Sequence, residues 1–215
     1  MNARQQIAVG QLWSQLGQQP RAIRSWERAL ESAPDDETAR KAIAGALAQS
    51  GETARAIPHW EALTKSRSPA VRLEALEALA QIEPDPQKAA QREKEALKML
   101  APNHWKYRDV LEATVARHER AGLLGALREE WSQEAETPDR NLRLAAIART
   151  EGHPEEAARL LERIHDPPSI EVLREIAHLR NSLADSLAAE EAWRAVLSAR
   201  PDDGQALEEL VRKLL

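Results

Sequence analysis

The 215-residue sequence contains no cysteine, no phenylalanine and a single tyrosine. Without cysteine there are neither disulfides nor thiolate metal sites. So few β-favouring aromatics exclude a large β-sandwich. No window holds the roughly 18 apolar residues that a membrane span needs. The first residues, Met1 to Gln6, lack the apolar stretch of a signal peptide. The expectation is a cytoplasmic protein with no direct membrane insertion. Neither sign of charge dominates: 30 Lys and Arg stand against 35 Asp and Glu, a net charge of −5, and the two signs are interspersed. A nucleic-acid surface needs a concentrated basic patch, so no nucleic-acid partner is expected.

What is present favours helix. Ala, Leu, Glu, Arg and Gln dominate, all of them good helix formers. They are ordered by an internal repeat. Gly17 and Gly51, Ala22 and Ala56, and Trp26 and Trp60 are each 34 residues apart. Ala90, Leu63 with Leu97, and Pro34 with Pro102 follow the same step. Inside the units a glycine precedes a tryptophan by nine residues at Gly17/Trp26, Gly51/Trp60 and Gly122/Trp131, and Gly152/Leu161 keeps the spacing.

The first unit reads Val9-Gly10, Trp13, Gly17, Ala22, Trp26, Ala29, Pro34. This resembles the tetratricopeptide repeat, and five further units follow with Ala44, Ala56, Trp60; Ala78, Ala90; Gly122, Trp131; Ala145, Ala157; and Ala177, Ala189, Trp193. The resemblance implies an all-α fold, a right-handed superhelical solenoid of about six helix pairs plus a C-terminal capping helix. It forms a single repeat domain over 1–215, with units near 3–36, 37–69, 70–103, 104–138, 139–168 and 169–203 and a cap over 204–215. Helix pairs are expected at 3–16/20–32, 37–50/53–65, 70–82/86–100, 104–120/123–135, 139–150/154–164 and 169–182/185–198. Small residues such as Gly10, Ala44, Ala22 and Ala56 let the helices of a pair approach closely, and Trp26, Trp60, Trp131 and Trp193 fill the space between pairs. The glycines suit left-handed backbone where the first helix of a pair ends. Asp35-Asp36 and Asp202-Asp203 are placed to cap the helices that follow. In the last helix Leu207, Leu210, Val211 and Leu214 form one apolar stripe opposed by Glu208, Glu209, Arg212 and Lys213, as expected of a lid on a repeat array.

Catalytic constellations are not apparent. The histidines His59, His104, His118, His153, His165 and His178 form no His-x-x-x-His or His-Glu-x-x-His motif. Carboxylate pairs such as Glu129-Glu130 and Glu155-Glu156 are adjacent, and adjacent helical residues diverge by about 100°. No phosphate loop or nucleophile elbow occurs. The reading is not an enzyme, with no cofactor and no metal.

The resemblance implies instead a scaffold or adapter that takes a protein or peptide partner along a concave groove lined by the first helix of each pair. Mapped onto this chain, that face carries Arg4, Gln11 and Gln15; Lys41, Gly45 and Gln49; Arg72, Leu79 and Glu83; Asp109, Glu112 and Glu119; Leu142, Ala146 and Arg149; and Arg174, His178 and Asn181. Chaperone-binding members carry a Lys/Asn/Asn/Lys/Arg clamp; Gln11 and Ala42 stand where its asparagines would be. Trp105 and Tyr107, which open the fourth unit where the regular step breaks, are read first as packing at that junction, with an aromatic anchor for a partner as the alternative. Two alternatives go with the scaffold: a regulatory or targeting module of a larger enzyme or secretion protein, and a self-assembling, filament-associated protein, for which a homo-oligomer is the expected state.

Overall fold

A computed structural model describes residues 1–164 and 168–214, and His165 lies outside the described residues. Among the described residues there are thirteen α-helices and no strand. They are α1 (Ala3–Gln15), α2 (Gln19–Ser32), α3 (Glu37–Gln49), α4 (Thr53–Leu63), α5 (Pro69–Ile82), α6 (Pro86–Lys98), α7 (Tyr107–Arg120), α8 (Leu124–Ser132), α9 (Pro138–Thr150), α10 (Pro154–Glu162), α11 (Ile170–Ser182), α12 (Ser186–Ala199) and α13 (Gly204–Leu214). From α1 to α12 the odd-numbered helices are the first, or A, helices of the pairs and the even-numbered are the B helices, and α13 follows the last pair. The arrangement is an all-α helical-repeat solenoid. It consists of two compact units, Met1–Arg117 and His118–Leu215.

In the first unit α1 packs on α2, α3 on α4 and α5 on α6, and α2–α3 and α4–α5 join the pairs. Ala22, Ala44 and Ala56 are fully buried, and Trp26 and Trp60 are nearly so. Close approach here is a steric requirement: a Cβ added at Gly10 would lie 2.2 Å from Trp26 Nε1. The indole N–H donates to the Ile7 carbonyl at 3.2 Å, so its one polar atom is satisfied inside the core. In the second unit α9 packs on α10 and α11 on α12, joined through α10–α11, with α8 against α9 and α13 against α12. Ala157, Ala177, Ala189, Leu161 and Trp193 are fully buried there, and Ala145 and Trp131 are 1% exposed.

Helix starts follow from local chemistry. Asn2 and Gln5 form a reciprocal capping box at α1. Asp36, Ser68, Thr137 and Ser169 cap α3, α5, α9 and α11 with side-chain oxygens. The A helices of four pairs end at glycines with positive φ, Gly17, Gly51, Gly122 and Gly152.

Several ends differ from the sequence-based spans. Helix α8 stops at Ser132 rather than 135, because Arg140 donates to the carbonyls of Trp131 (3.0 Å) and Ser132 (2.8 Å) and so replaces the next helical bonds. Helix α7 starts at Tyr107 rather than 104, because Ala101 and His104 carbonyls accept from His104 and Tyr107 N–H in tight turns. The expected lid is also corrected. Helix α13 turns Asp203 and Ala206 inward and packs Leu210 against the core, while Leu207 and Val211 are 45% and 53% exposed. The side chain of Leu214 lies outside the described residues. The small Ala206 and the Arg174–Asp203 ion pair decide which side of α13 docks.

Candidate functional site

The A helices carry two kinds of polar side chain. The first kind is tied to the next repeat. Lys41 Nζ on α3 lies 2.6 Å from Glu74 Oε2 on α5. Glu77 on α5 is bridged by Lys106 Nζ at 3.0 Å. In the second unit Arg149 Nη1 on α9 lies 2.9 Å from Glu175 Oε1 on α11, and Arg174 on α11 is paired with Asp203 at the start of α13. Helix B repeats the pattern at Glu27–Arg55 (3.3 Å) and Glu61–Arg92 (3.0 Å). Exposed pairs of this kind contribute about 0–1 kcal/mol each; their effect is to hold A helices in register. Arg72 belongs with them, since its Nη1 donates to the Ser66 carbonyl at 2.9 Å and closes the loop before α5.

Asp203 is the most enclosed of these carboxylates. It accepts the Ala206 N–H at 3.0 Å, and this bond first, with Arg174 second, holds its carboxyl below the usual carboxylate range. The stability it contributes is therefore present above that range and is lost as the pH falls through it. On helix B, burial lowers the His59 imidazole below its ordinary value, with Arg40 adding to the effect.

The second kind has no such tie. Arg4, Gln11 and Gln49 are exposed in the first unit, Asp109 is exposed on α7, and Glu119 is exposed further along that helix. Asn181 is half-buried near the end of α11. Glu112 is exposed with its carboxylate 3.6 Å from Arg108 Nε. His178 is exposed, its ring edge-on to Trp193 at 5.0 Å and its Nε2 3.1 Å from Gln205 Nε2.

Three sequence-based placements are corrected. Leu79 is fully buried and Ala146 is 6% exposed, so neither lines a surface. The turn after α5, Glu83-Pro84-Asp85-Pro86, lacks the glycine found in four of the other pairs. Tyr107 is 3% exposed and belongs to the core, whereas Trp105 is 77% exposed. Glu74, Glu77, Glu175 and Asp203 were not singled out by the sequence reading. Their signal was opposite charge at roughly one repeat from Lys41, Lys106, Arg149 and Arg174.

Among the described residues no group of three or more His, Asp or Glu side chains is placed to hold a metal ion. No described helix is long and apolar enough to cross a membrane. A surface cleft where α2 meets the α3–α4 turn is lined by Arg24, Glu27, Glu52 and Arg55 among others. Arg55 spans it, pairing with both acids.

No family model matches the chain and no curated protein does. Among solved structures it is similar to Naa15/Naa10 bound to HypK-THB, at 17% identity and a TM-score of 0.48 over 95% of this chain and 33% of that one. It is similar to the P58(IPK) tetratricopeptide domain at 19% identity and 0.44, over 99% of this chain and 65% of that one. PilW, a type IV pilus biogenesis factor, aligns at 16% identity and 0.48 over 99% of this chain and 98% of its own. The chain thus spans less than two thirds of the first two. The 34-residue step, the paired helices, the buried small residues and tryptophans at the same repeat positions and the left-handed glycines between helices make this chain an all-α helical-repeat protein.

Proposed function

We propose that this chain is a protein-interaction scaffold whose A helices receive a segment of another protein. One observation carries the reading. Packing and inter-repeat ion pairs account for the signature residues and for Lys41, Arg149 and Arg174, and a loop hydrogen bond accounts for Arg72, yet Arg4, Gln11, Gln49, Asp109, Glu119 and Asn181 have no side-chain partner among the described residues. These groups, on A helices of both units, are donors and acceptors free to meet a peptide backbone or charged side chains. Interspersed charge favours protein over nucleic acid as the partner, and the reading assigns no catalysis.

Ion pairing changes the informative experiment. Reversing Lys41 or Arg174 would break an internal pair as well as any partner contact. A photo-crosslinking amino acid at Gln11, Gln49 or Glu119 instead samples helix A without touching those pairs, and the same group at Arg28 or Arg159 samples exposed helix B. In extract from the native organism, the A positions are expected to give a partner adduct and the B positions weaker ones. Stronger adducts from Arg28 and Arg159 would move the binding surface to helix B.

A second reading, self-association, is favoured by exposed apolar side chains on the first and last helices: Leu12 (59%) on α1, and Leu207 and Val211 on α13. Sedimentation velocity over a range of concentrations separates the two.

A further inference from the structure

The geometry points to Trp105 as the anchor of a docking surface for a basic partner segment, one that presents a bulky apolar side chain with arginine or lysine three or four residues away. This deepens the scaffold reading and rests on it. The starting observation is the fate of the six tryptophans. Four are 0–6% exposed, and Trp13 is half-buried with the Arg21 guanidinium 4.8 Å from its ring centroid. Trp105 alone is largely in solvent.

Its loop is well tied, so this exposure is held in one arrangement. The next residue but one, Tyr107, is buried. Lys106 reaches both Glu77 carboxylate oxygens at 3.0 and 3.1 Å, and its backbone N–H donates to His104 Nδ1 at 3.2 Å. His104 N–H donates to the Ala101 carbonyl at 2.9 Å. The His104 ring stacks on the indole at 5.9 Å, and the Lys106 ammonium lies 5.5 Å from its centroid. Residues on both sides of the indole are thus fixed while the ring projects outward. A rigid aromatic in solvent loses little conformational freedom when a partner covers it, which is the property of an interface anchor.

The surrounding charge states what the partner carries. Asp109 and Glu112, three residues apart, share a face at the start of α7, and both are exposed. Asp109 has no partner among the described residues, and Glu112 is paired with Arg108 at 3.6 Å. Lys106, whose ammonium lies beside the indole, is neutralised by Glu77. An apolar side chain against the indole, followed by a cation over Asp109 and Glu112, satisfies both features. An anionic membrane surface would meet the same acids with repulsion.

The test uses the full chain and fluorescein-labelled ten-residue synthetic peptides. One set carries Leu or Phe with Arg three or four residues on; control sets replace the Arg by Glu or the apolar residue by Ala. Fluorescence anisotropy is expected to show binding of the basic apolar set and at least tenfold weaker binding of both controls. Trp105→Ala should weaken the basic set about 30-fold or more, the scale of an interface hot spot. Asp109→Lys should weaken it about tenfold at low salt and less at high salt. Arg28→Glu should leave it unchanged. Melting curves of Trp105→Ala should overlay the parent, as expected for an exposed side chain. The proposal is overturned if no peptide of the basic set binds, if Trp105→Ala binds it as well as the parent, or if the parent prefers phosphatidylglycerol vesicles in a Trp105-dependent way. Helix A crosslinks that persist beside such a result would leave the scaffold reading standing and remove the anchor alone.

Discussion

Two neighbouring pairs of the second unit, α9–α10 and α11–α12, solve one folding problem with different residues. In each, the turn closes with the same bonds: His153 N–H to the Ala148 carbonyl at 2.8 Å in the first, Asp185 N–H to the Arg180 carbonyl at 3.0 Å in the second. The left-handed residue is Gly152, φ 78°, in one and Ala184, φ 57°, in the other. Helix α10 begins without a side-chain cap, while α12 begins with Asp185 accepting from Ala188 N–H at 3.2 Å. Helix α6, whose turn also lacks the glycine, is likewise capped by an aspartate, Asp85. The B helices after the other glycine turns, α2, α4 and α8, have no side-chain cap. Turn geometry is therefore imposed by the packing of the pair, and an aspartate cap offsets the missing glycine. The packing position differs too, with Leu161 in α10 and Trp193 in α12, both fully buried.

The comparison breaks most severely at that packing position. Trp193→Ala should cost about 3–5 kcal/mol and Leu161→Ala about 2–5 kcal/mol, the ranges for large-to-small changes in a core. Urea denaturation followed by circular dichroism measures both, and a loss under about 0.5 kcal/mol at either site would mean that it tolerates exposure.

The turn residues come next, with opposite signs. Gly152→Ala forces a Cβ into left-handed backbone and should cost about 1–2 kcal/mol. Ala184→Gly relieves the same strain but frees the unfolded chain, leaving a gain of roughly 0.5–1 kcal/mol. Equal effects of one sign would show that the two turns are not equivalent.

The N-cap tests the compensation itself, and the smallest change is a difference between two backgrounds. Asp185→Ala should cost about 1 kcal/mol in the parent, the usual value of an N-cap. In the Ala184→Gly background, amide hydrogen exchange of the first turn of α12 should be less sensitive to that loss. Identical acceleration in both backgrounds would separate the cap from the turn.

Much of this architecture was legible before the structure. The step of 34 residues put α1, α2 and α3 within one residue of their observed ends, and Asp36 caps α3 as its position implied. Helix α4 runs through Pro58, whose ring lies on its exposed side. Less legible was the functional surface. Lys41, Arg149 and Arg174 look in sequence like Arg4, free cations on a helix face, yet each is paired across repeats. Trp105 and Tyr107 stand two residues apart, and one is in solvent while the other is core.

The sequence by itself determined the periodic features: helix lengths, the left-handed turns, and the alternation of small and large residues, because these depend on local backbone preference and on side-chain volume repeated at one spacing. Tertiary structure alone decided which polar side chains are consumed by the fold and which remain for a partner. An ion pair across 26 to 33 residues depends on how the next helix is rotated against the last. The choice of Ala206 and Leu210 over Leu207 and Val211 as the inner side of α13 likewise depends on the fit against α12 and on the Arg174–Asp203 pair, neither of which has a local signature.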